Sequence, residues 1–400
     1  MALAQFDWEE NGIAVRQGNH IEWLRTADVG SQGEMIFAWS DTRYGGRDVY
    51  AKKIDVDGQE LWGDDGNGIL IVSAPGRQED PILISDGNGG AYVMWKDYRT
   101  EPDDGDFYAQ YVLSDGTLAW DVEGVPLTTV SGPQGAPNMS SDGAGGAFVI
   151  WSDDTAGTGA SSHLYGTHLS PAGVVNPGVG IPLITSNYGF SGVSIEMAAP
   201  GSAIMVWTDD RNFTPFCEDD TWNDTCNLGT NQCCLDENNQ EVPGCQINCI
   251  TYKTDIYAQR IDTNCNTLWS TAEQGGIPVY SDYYTQAHAK VTYYSDEASV
   301  IVWDDNRNDN PDQGGASTED IYAQFIDMDG NLLFDVDGIA VSIENDRQYK
   351  PRIKGDSQGV FVIWSDTRFS NDDLNDVFAQ KLTLVDGLAW DEEVSVCSEQ

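Results

Sequence analysis

Six tryptophans in this 400-residue chain, each closing a short apolar run, are followed two positions later by an aspartate, and in five of the six an arginine stands two positions further on. The tryptophans are Trp39, Trp95, Trp151, Trp207, Trp303 and Trp364. The acids are Asp41, Asp97, Asp153, Asp209, Asp305 and Asp366, and the bases are Arg43, Arg99, Arg211, Arg307 and Arg368. Carboxylates and guanidinium groups in this pattern suit bidentate ion pairs, which lysine does not reproduce. They do not suit catalysis, because a reaction needs one asymmetric arrangement of acid, base and binding groups, whereas this set recurs along the chain. The expected partner of each arginine is the acid that opens the next segment, namely Asp48, Asp106, Asp255, Asp320 or Asp376. In the third copy the arginine is replaced by Thr155 and the opening acid by His163, so both ends of the expected pair vanish together. The pairs therefore read as scaffold clamps between neighbouring strands.

Function is then sought where the repeats differ. The third copy departs most, with Asp154, His163, Tyr165 and His168. In a regular strand His163 and Tyr165 share one face and His168 takes the other, so the two histidines do not form one metal site. His20 and His288 stand where other copies carry Pro or Ala, and are expected at a channel rim. Tyr44, Tyr98, Phe213 and Phe369 follow the motif in loops and suit stacking on sugar rings. Asp55 with Asp57, and Asp327 with Asp329, set alternating carboxylates before a glycine, and such hard oxygen ligands make Ca²⁺ the expected cofactor. Neither site completes an EF-hand, and an Asp-Gly hairpin turn accounts for both without metal. There is no Gly-x-Ser-x-Gly elbow, no His-Glu-x-x-His, no phosphate loop and no dinucleotide fingerprint.

The elements that would position these residues are strands. An apolar run such as Phe148-Val149-Ile150 or Val300-Ile301-Val302 precedes each tryptophan and reads as a buried strand. Segments such as Asp320-Ile321-Tyr322-Ala323-Gln324 alternate with the period of two of a half-buried strand. Asp-Gly turns follow, as at Asp57-Gly58 and Asp329-Gly330, and suit positive φ at hairpin tips. A third element carries Trp62, Trp120, Trp269, Phe334 or Trp390, and a fourth ends in a glycine-rich hairpin such as Asp86-Gly87-Asn88-Gly89-Gly90.

The first four tryptophans are spaced 56 residues apart, and a fixed period means a repeat protein. Four strands per unit, six units and no amphipathic helix predict an all-β, six-bladed β-propeller over residues 1–400, with a stacked β-solenoid as the alternative. Phe6-Asp7-Trp8 and Gly12-Ile13-Ala14-Val15 look like the tail of a repeat, so the two termini are expected to close the ring and remove the free sheet edge.

Composition sets the surroundings. Asp plus Glu number 65 against 20 Lys plus Arg, a formal charge of −45. Such a field repels nucleic acid and anionic membranes, and no apolar run approaches the ~18 residues of a membrane helix. Met1-Ala2-Leu3-Ala4-Gln5 resembles the end of a removed signal peptide. The interval from Trp207 to Trp303 is 96 residues, 40 longer than the standard one, and holds Cys217, Cys226, Cys233, Cys234, Cys245 and Cys249. An insertion over residues 212–254 in the fourth blade, poor in core residues, is expected to be stapled by disulfides, which implies an oxidising compartment. It contains no His and no pair of Cys-x-x-Cys motifs, which disfavours a zinc knuckle.

The Trp-x-Asp-x-Arg strand followed by Asp-Ile-Tyr-Ala-Gln and Asp-Gly-Asn-Leu resembles β-propeller repeats of large secreted or surface proteins of bacteria, notably Bacteroidetes-like groups. The resemblance covers most of residues 6–396, and its motifs specify a repeat type rather than a reaction. It implies a secreted or cell-surface binding or assembly module whose loops engage an extracellular glycan or a surface protein. The competing expectations are a polysaccharide hydrolase or lyase with its site at the channel mouth, and a self-associating extracellular subunit.

Overall fold

A computed structural model describes residues 15, 22–63, 66–153, 163–185, 189–212, 216–219, 247–250, 254–282, 284–308, 318–356, 359–369 and 375–397. Among these residues all regular structure is β, arranged as six antiparallel sheets of at least four strands and one two-stranded sheet. Sheet one comprises Glu22–Val29, Met35–Asp41, Asp48–Ile54 and Ile69–Val72. Sheet two comprises Gln78–Ser85, Ala91–Asp97, Asp106–Val112 and Val125–Thr128; sheet three, Gln134–Ser141, Ala147–Asp153, His163–Ser170 and Ile181–Ile184. Sheet four comprises Phe190–Ala199, Ser202–Asp209, Asp255–Asp262 and Ile277–Tyr280; sheet five, Gln286–Ser295, Ala298–Asp305, Asp320–Asp327 and Ile339–Ser342. Sheet six comprises Gln348–Asp356, Gly359–Asp366, Asp376–Thr383 and Val394–Cys397. Sheets three and six each add a two-residue strand, Gly173–Val174 and Gly387–Leu388.

The second strands of sheets two to five are continuous apolar runs because both of their faces are covered. At each of five successive junctions, side chains one and three residues before the motif tryptophan of one sheet meet the tryptophan, or the side chain two before it, of the next. Ile36 and Ala38 pack with Val93 and Trp95, Tyr92 and Met94 with Val149 and Trp151, and Phe148 and Ile150 with Met205 and Trp207. Ile204 and Val206 pack with Ile301 and Trp303, and Val300 and Val302 with Val362 and Trp364. The indoles of Trp62 and Trp269 tie neighbouring sheets by donating to the carbonyls of Ser114 (3.0 Å) and Met328 (3.0 Å).

The first strands are the inner ones. Lys354 of sheet six reaches Glu196 of sheet four at 3.5 Å, although stacked parallel sheets two layers apart would stand about 20 Å from each other. The sheets therefore converge as wedges, a propeller-like arrangement, rather than stacking as a solenoid. The fourth strand of sheet six, Val394–Cys397, pairs with Asp376–Thr383 of the same sheet, so this sheet needs no strand from the opposite end of the chain.

The two-stranded sheet pairs Phe216–Asp219 with Ile247–Ile250 and sets the backbone of Cys217 directly opposite that of Cys249. It lies between the second and third strands of sheet four, within the expected insertion. Cys226, Cys233, Cys234 and Cys245 lie outside the described residues.

Candidate functional site

The second strand of every sheet ends, and the first and third begin, on one face of the molecule, so both ends of each loop after a motif lie there. In five units the motif arginine turns back to the motif's own aspartate, with Nε to carboxylate distances of 2.8–3.0 Å. The same carboxylate accepts the tryptophan Nε1–H at 2.8–3.2 Å. The guanidinium lies over the aromatic ring of the third strand, Tyr50, Tyr108, Tyr257, Tyr322 or Phe378, at 3.6–4.3 Å. In four units it also donates to a backbone carbonyl before the fourth strand, of Asn67, Glu123, Gln274 or Asp337, whereas Arg368 reaches Ser342 Oγ and Glu393 instead.

This corrects the expected pairing of Arg43, Arg99, Arg211, Arg307 and Arg368 with Asp48, Asp106, Asp255, Asp320 and Asp376. The motif aspartate already receives the arginine's backbone N–H at 2.7–3.1 Å, so the turn itself folds the side chain back onto it. The opening acids take other donors: Thr100 for Asp106, Asn212 at 2.9 Å for Asp255 and Asn308 at 2.6 Å for Asp320. Burial would raise the Asp41 carboxyl, but the hydrogen bonds from Arg43 and Trp39 hold it below the ordinary carboxylate range. Around the more enclosed Asp305 burial prevails and the shift is upward despite Arg307. In the third unit, which lacks the arginine, Trp151 Nε1 is buried without a hydrogen-bond partner.

Closer to the centre, the first strands are bulged near their beginnings. Register breaks between Glu79 and Ile82, Ser191 and Ser194, Ala287 and Lys290, and Tyr349 and Arg352. At the same level φ is positive at Asp80 (53°), Ala136 (46°), His288 (52°) and Lys350 (55°), and at Gly192 (66°). Left-handed backbone costs a non-glycine residue roughly 1–2 kcal/mol, and bulges of this kind re-aim side chains next to functional sites. Between sheets two and three the bulges border a cleft of about 430 Å³ lined by Asp80, Pro81, Ile82, Lys96, Phe107 and Gln134, together with Gly135, Ala136 and Pro137. Lys96 Nζ is 3.3 Å from the carbonyl of Gln134. On the far side, His288 Nδ1 stands 2.8 Å from Asp304 Oδ2, which also accepts the backbone N–H of Lys350 at 2.8 Å.

The other expected site residues do not assemble into one cluster. Tyr44 and Phe369 are exposed (77% and 66%), and Phe369 leans on Phe378 of its own unit. Tyr98 is half-buried beneath Arg77, whose guanidinium is 3.6 Å from the ring centre. Tyr165 stacks on Trp151 at 6.4 Å, as the equivalent tyrosines do on their tryptophans, which makes it part of the scaffold rather than a ligand contact. His163 is half-buried opposite Asp153. His168 is buried on the other face, 2.9 Å from Asp142, in the position that Tyr111 takes with Asp86 one unit earlier. Asp154, Phe213 and His20 lie outside the described residues.

The acids expected to hold calcium shape turns. Asp55 Oδ1 accepts the amides of Asp57 and Gln59, and Asp327 Oδ1 those of Asp329 and Asn331. Among the described residues no group of three or more His, Cys, Asp or Glu side chains is placed to hold a metal. Of the bulge residues the sequence singled out His288 alone; Asp80, Ala136 and Lys350 share its backbone conformation but not its residue type.

No family model matches the chain, and no curated protein does. Solved structures do. An ulvan lyase of a polysaccharide lyase family matches at 9% identity and a TM-score of 0.46, over 91% of this chain and 83% of that one. The α-L-arabinanase of Penicillium chrysogenum, complexed with arabinobiose, matches at 11% identity and a TM-score of 0.41, over 93% and 97%. A protein of unknown function from Dyadobacter fermentans matches at 12% and 0.42, over 88% and 92%. At such identities no side chain of this protein is assigned a role by the likeness.

Proposed function

We propose that this protein is a secreted six-bladed β-propeller that binds an extracellular glycan at the centre of its motif face. The observation that carries the reading is the cleft between sheets two and three. Its volume falls within the range of roughly 300–1,000 Å³ usual for small-ligand sites. Pro81, Ile82, Phe107 and Pro137 supply apolar wall, while Asp80, Lys96 and Gln134 supply hydrogen-bonding groups. A sugar ring has the same division, with C–H faces and a hydroxyl rim. Exposed Tyr44 and Phe369 add aromatic surface on the motif face. The cysteine-rich insertion in the fourth motif loop belongs to this reading as a disulfide-stapled part of the same face, and its cysteines are the argument for secretion.

The test is a screen of the purified, non-reduced protein against immobilised glycans, with calcium and with chelator, followed by analysis of the bound glycans for cleavage. Binding of intact glycan is the expected result, and loss in chelator would bring calcium into the site. Absence of binding to every glycan overturns the reading in favour of a protein partner or self-association. A polysaccharide-active enzyme is the second reading, and the contact of His288 with buried Asp304 favours it, since an exposed imidazole oriented by a carboxylate suits general acid–base work. Cleavage products in the screen would establish that reading.

A further inference from the structure

The glycan reading leaves the charge of the ligand open, and the distribution of cations in this acidic chain bears on it. Of 20 Lys and Arg in the whole sequence, four stand in the first strands of sheets five and six: Lys290, Lys350, Arg352 and Lys354. His288 is the fifth basic side chain in this pair of strands. Register explains why they converge. Lys290 pairs with Val302 and Arg352 with Ile363, each one residue before its motif tryptophan, so the two occupy the same level of adjacent inner strands. His288 and Lys350 likewise share the bulge level nearer the motif face, both at positive φ.

The surrounding acids do not neutralise this group. Lys354 has Glu196 at 3.5 Å. Asp304 accepts the His288 ring and the backbone N–H of Lys350. Arg352 is bonded through Nη1 to the carbonyl of Pro351 at 3.2 Å, and the Lys350 ammonium lies 5.5 Å from the Tyr349 ring centre. Among the described residues no carboxylate lies within ion-pair distance of Lys290, Lys350 or Arg352. Burial first, and then the neighbouring guanidinium of Arg352, push the Lys290 ammonium below its ordinary range. Most cations elsewhere have a carboxylate: the five motif arginines do, and so do Arg47, Arg77, Lys52, Lys53 and Arg347. In a chain of net charge −45, leaving three exposed or half-exposed cations together without a carboxylate costs stability that a bound anion would restore.

We infer that Lys290 and Arg352, with Lys350 and His288 at the mouth, form a subsite for an acidic group on a saccharide, a carboxylate or a sulfate ester. This inference rests on the glycan reading and deepens it by naming the ligand's charge. The subsite is distinct from the cleft between sheets two and three with its apolar wall of Pro81, Ile82, Phe107 and Pro137, so one polymer chain spanning both would place an acidic unit here and a sugar face there.

The test is isothermal titration of the non-reduced protein with three polymers of similar length: a polyuronate, a sulfated neutral glucan and the same glucan without sulfate. Lys290→Gln, Arg352→Gln and the double variant are titrated alongside, with thermal melts to confirm folding; glutamine keeps much of the aliphatic stem of each side chain. At least one acidic polymer should bind at least tenfold more tightly than the neutral one. The double variant should lose at least tenfold in affinity for it while keeping any affinity for the neutral polymer. Preference for the polyuronate or for the sulfated glucan distinguishes the two acidic groups. Equal affinity of wild type and double variant for the acidic polymers, or binding of the neutral polymer alone, overturns the inference and leaves the glycan reading standing. No binding of any of the three polymers overturns the inference, and the screen against immobilised glycans then decides whether the glycan reading falls with it. If the double variant melts early, the single Arg352→Gln variant, at an exposed position, carries the comparison.

Discussion

The guanidinium of Arg307 lies 3.7 Å from the centres of two tyrosine rings, Tyr280 of the preceding sheet and Tyr322 of its own. It is bonded at the same time to Asp305 and to the carbonyl of Asp337. One side chain thus joins the second strand, the third strand, the loop before the fourth strand and the neighbouring sheet. Removing it leaves Asp305 buried and short of a counter-charge, which for buried pairs costs about 3–5 kcal/mol. Arg307→Ala should therefore lower the melting temperature by several degrees without changing glycan affinity, and Arg307→Lys should recover only part of the loss because ammonium lacks the planar fork. Loss of binding at unchanged melting temperature would show instead that the motif touches ligand. The Trp, Asp and Arg were all legible in the sequence as one repeated unit. The partner of the arginine was not, because covariation in the third unit removes the arginine and the strand-opening acid together, while the true partner Asp153 is retained there.

At the scale of the strands, hydrophobic periodicity was a sufficient guide to where the second and third strands run, because in sheets two to five both are enclosed by neighbouring sheets. It gave no sign of the connection to the fourth strand, which is held by residues that a polarity pattern passes over. Gln110 of the third strand donates to the carbonyl of Asp121 at 2.7 Å and accepts the amide of Trp120 at 3.0 Å, and Gln259 and Gln324 repeat the arrangement. A glycine at positive φ then passes beneath the motif tryptophan: Gly68, Gly124, Gly180, Gly276 and Gly338 all do so. A Cβ at Gly124 would lie 2.4 Å from the Trp95 ring, at a φ of +79°. Gly124→Ala should cost roughly 2–5 kcal/mol, combining left-handed strain with overpacking against an immobile indole. Chemical denaturation measures it, and a loss under about 1 kcal/mol would mean that the indole can shift and that the glycine is not required. The bulges escaped the same pattern for a related reason: Asp80, Ala136, His288 and Lys350 differ in residue type, and what they share is a place, two residues after a buried glutamine (Gln78, Gln134, Gln286 or Gln348) and one before Pro or Ala.

For the whole molecule, the question is what covers the outer face of sheet six. Phe361 and Ile363 are 43% and 41% exposed, whereas the equivalent side chains Tyr92 and Met94 of sheet two, or Phe148 and Ile150 of sheet three, are buried against the next sheet. Sheet one has the complementary vacancy: Phe37 is half-buried, although its counterparts Val93, Val149, Met205, Ile301 and Val362 are fully enclosed. The packing rule of the five observed junctions, applied once more, seats Phe361 and Ile363 on Phe37 and Trp39 and closes a ring of six. Closure would then come from two apolar faces meeting, not from a shared strand, since sheet six already owns its fourth strand. If the ring is closed, Ile363→Glu places an unpaired charge in a core and should cost about 2–4 kcal/mol. If the face is open to water, the same change should be nearly silent, within about 0.5 kcal/mol. A second copy of the chain could cover the face equally well, so light scattering over a hundredfold range of concentration must accompany the denaturation curve. Destabilisation of a protein that is monomeric throughout assigns the cover to sheet one. Destabilisation together with a dimer that Ile363→Glu dissociates assigns it to the second copy, and turns the molecule from a closed propeller into a building block.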